Sequence, residues 1–233
     1  NQSSCNKDFS CLNGFCPAFV SVENATPRTR DHIDGSDIET LPEPNFIECK
    51  DPYSIFVTGI GGTGVVTIGA ILSMAAHLEN KGVSVLDVAG LAQKNGAVYS
   101  HIRIANQLED LYAVRIANGS AKVLIGNDLV ASASEETIEK LKPDFTSAVI
   151  NSKPTMTPNF TSEPDLEFPE DKIKFFLNQA IGHQSIDYVD ATGLALDLLG
   201  DTIAANTFLL GFAFQKGLLP VSSKAIEKAI ELN

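Results

Sequence analysis

The run Tyr53-Ser54-Ile55-Phe56-Val57-Thr58-Gly59-Ile60-Gly61-Gly62-Thr63-Gly64-Val65-Val66-Thr67 decides the fold: an apolar strand enters a glycine turn, and a long amphipathic helix leaves it. Glycines allow a tight turn and a close backbone approach, and the free amides of a helix N-terminus attract an anion. Gly59, Gly61, Gly62, Thr63 and Gly64 are therefore the candidate anion-binding residues. The helix is expected from about Thr63 to Asn80, with Gly82 as its left-handed stop, and Val83 to Val88 reads as a second strand. Together these form a βαβ unit of about 35 residues.

Working outward, short β-branched runs alternate with helical periodicity from Tyr53 onward, the mark of a layered α/β domain with a mostly parallel sheet. Further strands are expected at Tyr99 to Ile104, Leu111 to Ile116, Lys122 to Ile125, Ser147 to Ile150 and Ile186 to Val189. Helices are expected at Asp128 to Leu141, Glu170 to Ile181, Thr202 to Lys216 and Ser222 to Leu232. Asp190, Asp201 and Ser222 suit N-caps, and Gly217 suits a C-terminal stop. Ser152 to Pro169, with four prolines, reads as an excursion over the surface or onto a partner. Before residue 50 the chain is polar and carries three cysteines, so 1–50 reads as a cysteine-bearing linker and 51–233 as the folded domain.

Seventeen basic against twenty-nine acidic residues give a net charge of −12, which repels a phosphate backbone and excludes nucleic acid as a partner class. No apolar stretch approaches the roughly 20 residues of a membrane span, and the first residues lack the pattern of a secretory signal. A chain that starts at Asn1 is expected to be a fragment or a processed product.

A glycine turn in this setting suits NAD or FAD when an acidic residue ends the second strand, and Asp87 is so placed. Coenzyme A, nucleotides and diphosphate cofactors fit the turn equally, and tight helix packing alone would also explain the glycines. The loop Gly90 to Ala97 adds the donors Gln93, Lys94 and Asn95 at the carboxyl edge of the sheet, and Thr192 joins them at the end of another strand. Asp190 reads as a helix cap, His101 as a structural residue in a strand, and Asn206 with Thr207 as polar positions facing a partner or solvent. No Ser–His–Asp set, carboxylate pair or HExxH motif is present, so no catalytic residue is assigned.

Cys5, Cys11 and Cys16 are spaced C-x5-C and C-x4-C, and Cys16 precedes Pro17 as in ferredoxin-type runs. An iron–sulfur cluster leads over disulfides and over a zinc site using His32. A cubane needs four thiolates, and the fourth would come from Cys49 or from another part of a longer polypeptide.

Phe56 to Thr67, Asp87 to Ala97, Asp190-Ala191-Thr192 and Gly211 to Val221 resemble the gamma domain of 2-oxoacid:ferredoxin oxidoreductases, nearest to the indolepyruvate branch. The start, Asn1 to Cys11 with Gly14-Phe15-Cys16-Pro17, resembles the linker after the thiamine-binding and ferredoxin-like parts of the fused enzymes of that branch. The resemblance implies a Rossmann-like three-layer domain from the C-terminal part of a longer cytoplasmic enzyme. That enzyme decarboxylates an aryl 2-oxoacid on thiamine diphosphate with magnesium, passes electrons through 4Fe–4S clusters to ferredoxin and delivers the acyl group to coenzyme A. It implies as partners the thiamine-binding and ferredoxin-like domains of the same enzyme, ferredoxin and a homo-oligomer. The chain alone is expected to be inactive and to supply a wall of the coenzyme A or diphosphate site. The alternatives are a free-standing NAD(P)- or flavin-binding oxidoreductase and a structural interaction module.

Overall fold

The computed structural model describes residues 23–26, 41–45, 47–49, 51–90, 96–156, 165, 167–182 and 185–233. Six strands form one sheet: β1 (Tyr53–Ile60), β2 (Gly82–Ala89), β3 (Ala97–Ala105), β4 (Val123–Gly126), β5 (Ser147–Asn151) and β6 (Ile186–Val189), in the order β2-β3-β1-β4-β5-β6. The β1–β4, β4–β5 and β5–β6 pairs are parallel, whereas β3 runs antiparallel to both β1 and β2. β3 is thus the one reversed strand in a mostly parallel sheet, and it lies between the two strands of the expected βαβ unit.

β1 is central, paired on both edges and buried along nearly its whole length. Its side chains alternate between two cores, as the period of a strand requires. Ile55 and Val57 join α1 (Val65–Leu78), α6 (Ala205–Gln215) and α7 (Ser223–Leu232) on one face. Phe56 faces the other way, with Leu129 of α2 (Leu129–Ser132) and Leu177 and Ile181 of α4 (Glu170–Ile181). Two helical layers around one sheet give the expected three-layer α/β architecture.

The helix after the turn ends earlier than expected. Asn80, at φ 56°, takes the left-handed position, and the amides of Asn80 and Lys81 close a Schellman motif on the carbonyls of His77 and Ala76. Gly82 instead begins β2, where a Cβ would run into the Gln107 backbone at 2.5 Å. Gly217, at φ 70°, is the stop expected for α6, and Ser222 caps α7 by accepting from the Ala225 amide.

Two further expectations fail. Leu111 to Ile116 is not a strand: both edges of β1 are taken, and Tyr112 is 90% exposed while only Ile116 is buried. The single helix expected over Asp128 to Leu141 is divided into α2 and α3 (Glu135–Ile138). Ser132 and Ser134 donate to the Asp128 and Ala131 carbonyls, and Ser134 also accepts from the Thr137 amide, so serine side chains end one helix and start the next.

His101 is fully buried against Phe56, with ring centroids 4.8 Å apart, and its Nδ1 accepts from the Ile116 amide at 3.2 Å. Nε2 therefore carries the hydrogen and is buried with no partner among the described residues. Burial, with Arg115 and Lys140 nearby, pushes the imidazole down to about 4. The unfolded chain takes up this proton near pH 6.5, whereas the folded chain resists it until about 4. Stability present above pH 6.5 should fall as pH drops towards 4, by on the order of 3 kcal/mol. His101→Gln keeps an acceptor for Ile116 and should flatten this slope in urea denaturation between pH 7 and 4; an unchanged slope would rule out His101 as its source.

Candidate functional site

The carboxyl ends of β1, β4, β5 and β6 share one edge of the sheet, where ligands bind in open α/β folds. After β1, the Thr63 amide closes a turn on the Ile60 carbonyl at 3.0 Å, and the Gly61 amide is tied to the Gly96 carbonyl at 2.9 Å. Gly59 is required because a Cβ there would lie against Thr63 Oγ1, 2.9 Å from Val65 Cγ2 and 3.1 Å from Asn127 Cβ. Gly64 caps α1 in the left-handed conformation at φ 77°, and a Cβ there would strike the Asn206 amide group.

α1 consequently starts bare. Among the described residues no side chain caps it, and its first turn carries no acidic residue. The Val65, Val66 and Thr67 amides have no intrahelical acceptor by the geometry of a helix end, and the helix dipole adds partial positive charge there. Gly62, at φ 93°, is exposed, and among the described residues nothing lies within 4 Å of where its Cβ would be, which leaves room for an anion beside the backbone. Thr63 contributes differently from expectation: its hydroxyl donates to the Ile60 carbonyl at 2.8 Å, which holds the turn and leaves it only an acceptor to offer a ligand.

A band of buried amides continues along the edge. Asn127, which follows β4, donates from Nδ2 to the Thr63 carbonyl at 3.3 Å, while its buried Oδ1 has no partner among the described residues. Asn151, which ends β5, donates to the Asn127 carbonyl at 3.3 Å and to Thr192 Oγ1 at 2.8 Å. Thr192 lies in the first turn of α5 (Ala191–Leu199), capped by Asp190, which accepts from the Gly193 amide at 2.8 Å. From α6, Asn206 reaches the Gly64 carbonyl at 3.4 Å. Asp128 is buried beside Asn127 and caps α2; burial outweighs its hydrogen bonds and pushes its carboxyl up.

The structure thus unites the glycine turn and Thr192 with Asn127, Asn151 and Asn206. Sequence reading assigned Asn206 only to a partner or to solvent, and missed Asn127 and Asn151. Their one local signal is position, since each immediately follows or ends an apolar strand. Gln93, Lys94 and Asn95 lie outside the described residues, as do Cys5, Cys11 and Cys16.

Two candidates do not reach the edge. Asp87 is separated from β1 by β3, about 10 Å across the sheet. A Cβ on Gly69, more than a turn into α1, would lie 3.5 Å from its Oδ1, so Asp87 sits beneath the middle of that helix and not beside the glycine turn. Cys49 is 4% exposed within the core under α1 and α7, and burial pushes its thiol up, which makes it a poor thiolate ligand. Among the described residues, no three His, Cys, Asp or Glu side chains group as metal ligands, and no helix is long and apolar enough to cross a membrane.

The indolepyruvate oxidoreductase subunit IorB of Thermococcus kodakarensis is 27% identical to this chain over 184 residues, covering 78% of it and 86% of that protein. The pyruvate oxidoreductase subunit PORC of Thermotoga maritima shares the fold with a TM-score of 0.55 and 22% identity, over 78% of this chain and 85% of that one. The 2-oxoglutarate:ferredoxin oxidoreductase of Magnetococcus marinus, solved with 2-oxoglutarate, coenzyme A and succinyl-CoA bound, shares it with a TM-score of 0.57 and 18% identity. That match covers 78% of this chain and 27% of the other. Residues 54–233 match the pyruvate ferredoxin/flavodoxin oxidoreductase family, so the chain belongs to that family and is part of an oxidoreductase.

Proposed function

We propose that this chain is the gamma component of an indolepyruvate-type 2-oxoacid:ferredoxin oxidoreductase, which converts an aryl 2-oxoacid to its acyl-CoA while reducing ferredoxin. Its own share is a wall of the coenzyme A site, with the diphosphate held at the turn from Gly59 to Gly64. The observation that carries this reading is the bare N-terminus of α1 behind an open glycine turn, at the carboxyl edge of the parallel strands. The IorB relative supports the indolepyruvate branch.

The dinucleotide alternative depends on a carboxylate beside the turn to bind a ribose, and β3 holds Asp87 away from it. Thiamine diphosphate, its magnesium and the 4Fe–4S clusters belong in this reading to partner domains, with Cys5, Cys11 and Cys16 in the linker joining them. This chain's residues bind and orient; the redox chemistry is supplied by groups held elsewhere in the assembly. The cytoplasm is the proposed location.

Val66 is the second residue of α1 and is 47% exposed. Val66→Asp puts a negative charge where it favours the helix by about 0.3–1 kcal/mol and repels a bound anion. Calorimetric titration should show coenzyme A binding to the wild type, at least tenfold weaker binding to Val66→Asp, and a melting temperature no lower than wild type. Tight binding of NAD or FAD without coenzyme A would overturn the assignment.

Packing against partner domains is proposed for the apolar surface beside this edge, where Leu194, Leu198 and Leu199 of α5 and Ile203 of the following 3₁₀ turn (Thr202–Ala204) are exposed. Leu199 and Ile203 are 62% and 71% exposed, so aspartate at both should change stability by less than about 1 kcal/mol. Size-exclusion chromatography of the double variant should show loss of the assembled enzyme; intact assembly would move the interface elsewhere.

A further inference from the structure

Asn151 is 6% exposed, and its amide group is fully committed. Both N–H bonds are used, one on the Asn127 carbonyl and one on Thr192 Oγ1, while Oδ1 accepts from the Lys153 amide at 3.3 Å. Turning the amide over would set its oxygen against the Asn127 carbonyl and its nitrogen against the Lys153 N–H, so its neighbours fix its orientation. Thr192 Oγ1 must therefore accept from Asn151, and its own hydrogen points elsewhere. Among the described residues that hydrogen meets no acceptor.

Charge determines what kind of acceptor suits it. The Asp190 carboxylate already occupies the N-terminus of α5, accepting from Gly193, and would repel an anion there. The N-terminus of α1 has no such carboxylate. The two helices follow β1 and β6, three strand spacings apart, which places Thr192 roughly 10–15 Å along the edge from the glycine turn. One end of the edge suits an anion, and the other suits a neutral acceptor.

We propose that Thr192 donates to a neutral carbonyl oxygen of the ligand whose phosphate rests on the glycine turn, and that Asn151 is the positioning residue that fixes the direction of that donor. The ligand class is a phosphorylated molecule bearing an amide or acyl carbonyl on a flexible arm. This inference rests on the coenzyme A reading above and adds to it the recognition of the arm.

The test uses two probes on the full-length protein: coenzyme A, which carries amide carbonyls, and inorganic pyrophosphate, which carries none. Thr192→Val should weaken coenzyme A about tenfold and leave pyrophosphate unchanged, and Thr192→Ser should restore the affinity. Asn151→Ala should weaken coenzyme A similarly, because it frees the hydroxyl to rotate. The double variant should bind no worse than either single one, the non-additivity expected of residues acting through one bond. Equal loss of both probes on Thr192→Val would mean that the hydroxyl serves the anion, and unchanged coenzyme A affinity would mean that it serves no ligand; either overturns the proposal and leaves the coenzyme A reading standing. Failure of both probes to bind the wild type would overturn that reading and this inference together.

Discussion

β1 is hydrogen-bonded along both edges and packed on both faces, and the glycine turn at the centre of the site follows from where it must stop. With its edges filled by β3 and β4 and its faces by two helical layers, the chain can leave only at the carboxyl end. There it must turn back over the sheet at once to begin α1. The reversal brings Gly59 against Val65 and Asn127 so closely that a Cβ has no room. Gly59 and Gly64 are thus demanded by packing, whereas Gly62 has open space beside it, and the uncapped helix start is what that packing leaves.

The same geometry explains how a reading based on the glycine turn reached the right layers but a wrong neighbour. The strand, turn and helix were legible because apolar alternation and glycine placement are local signals. That Ala97–Ala105 inserts between β1 and β2 is a matter of pairing between distant residues, and nothing within Asp87 to Ala97 encodes it. A ribose-binding carboxylate and the middle of a packed helix therefore look alike at Asp87 until the strand order is known.

Polar residues at strand ends escaped notice for a related reason. Asn127 and Asn151 resemble turn residues in sequence, and each draws its role from a partner in a different segment: Thr63 for one and Thr192 for the other. Asn206 is similar, since its tie to Gly64 spans more than 140 positions. Cap residues such as Ser222 and Asp201 are legible because the amides that donate to them lie within three residues. Leu111 to Ile116 failed in the opposite sense: its apolar alternation satisfies a strand pattern, but neither edge of β1 is free to receive it.

The amide band also constrains how the two ends of the edge communicate. Thr63, Asn127, Asn151 and Thr192 form one run of contacts from the glycine turn to α5: Asn127 donates back to the Thr63 carbonyl, and Asn151 donates both to the Asn127 carbonyl and to Thr192 Oγ1. Because primary amides are polar at both ends and these are buried, reversing any one of them would leave carbonyls facing carbonyls, a cost of about 1–3 kcal/mol for each unpaired group. The orientation of each amide is therefore set by its neighbours. The run sets the spacing between the uncapped start of α1 and the Thr192 hydroxyl, the two groups that the proposed ligand would have to span.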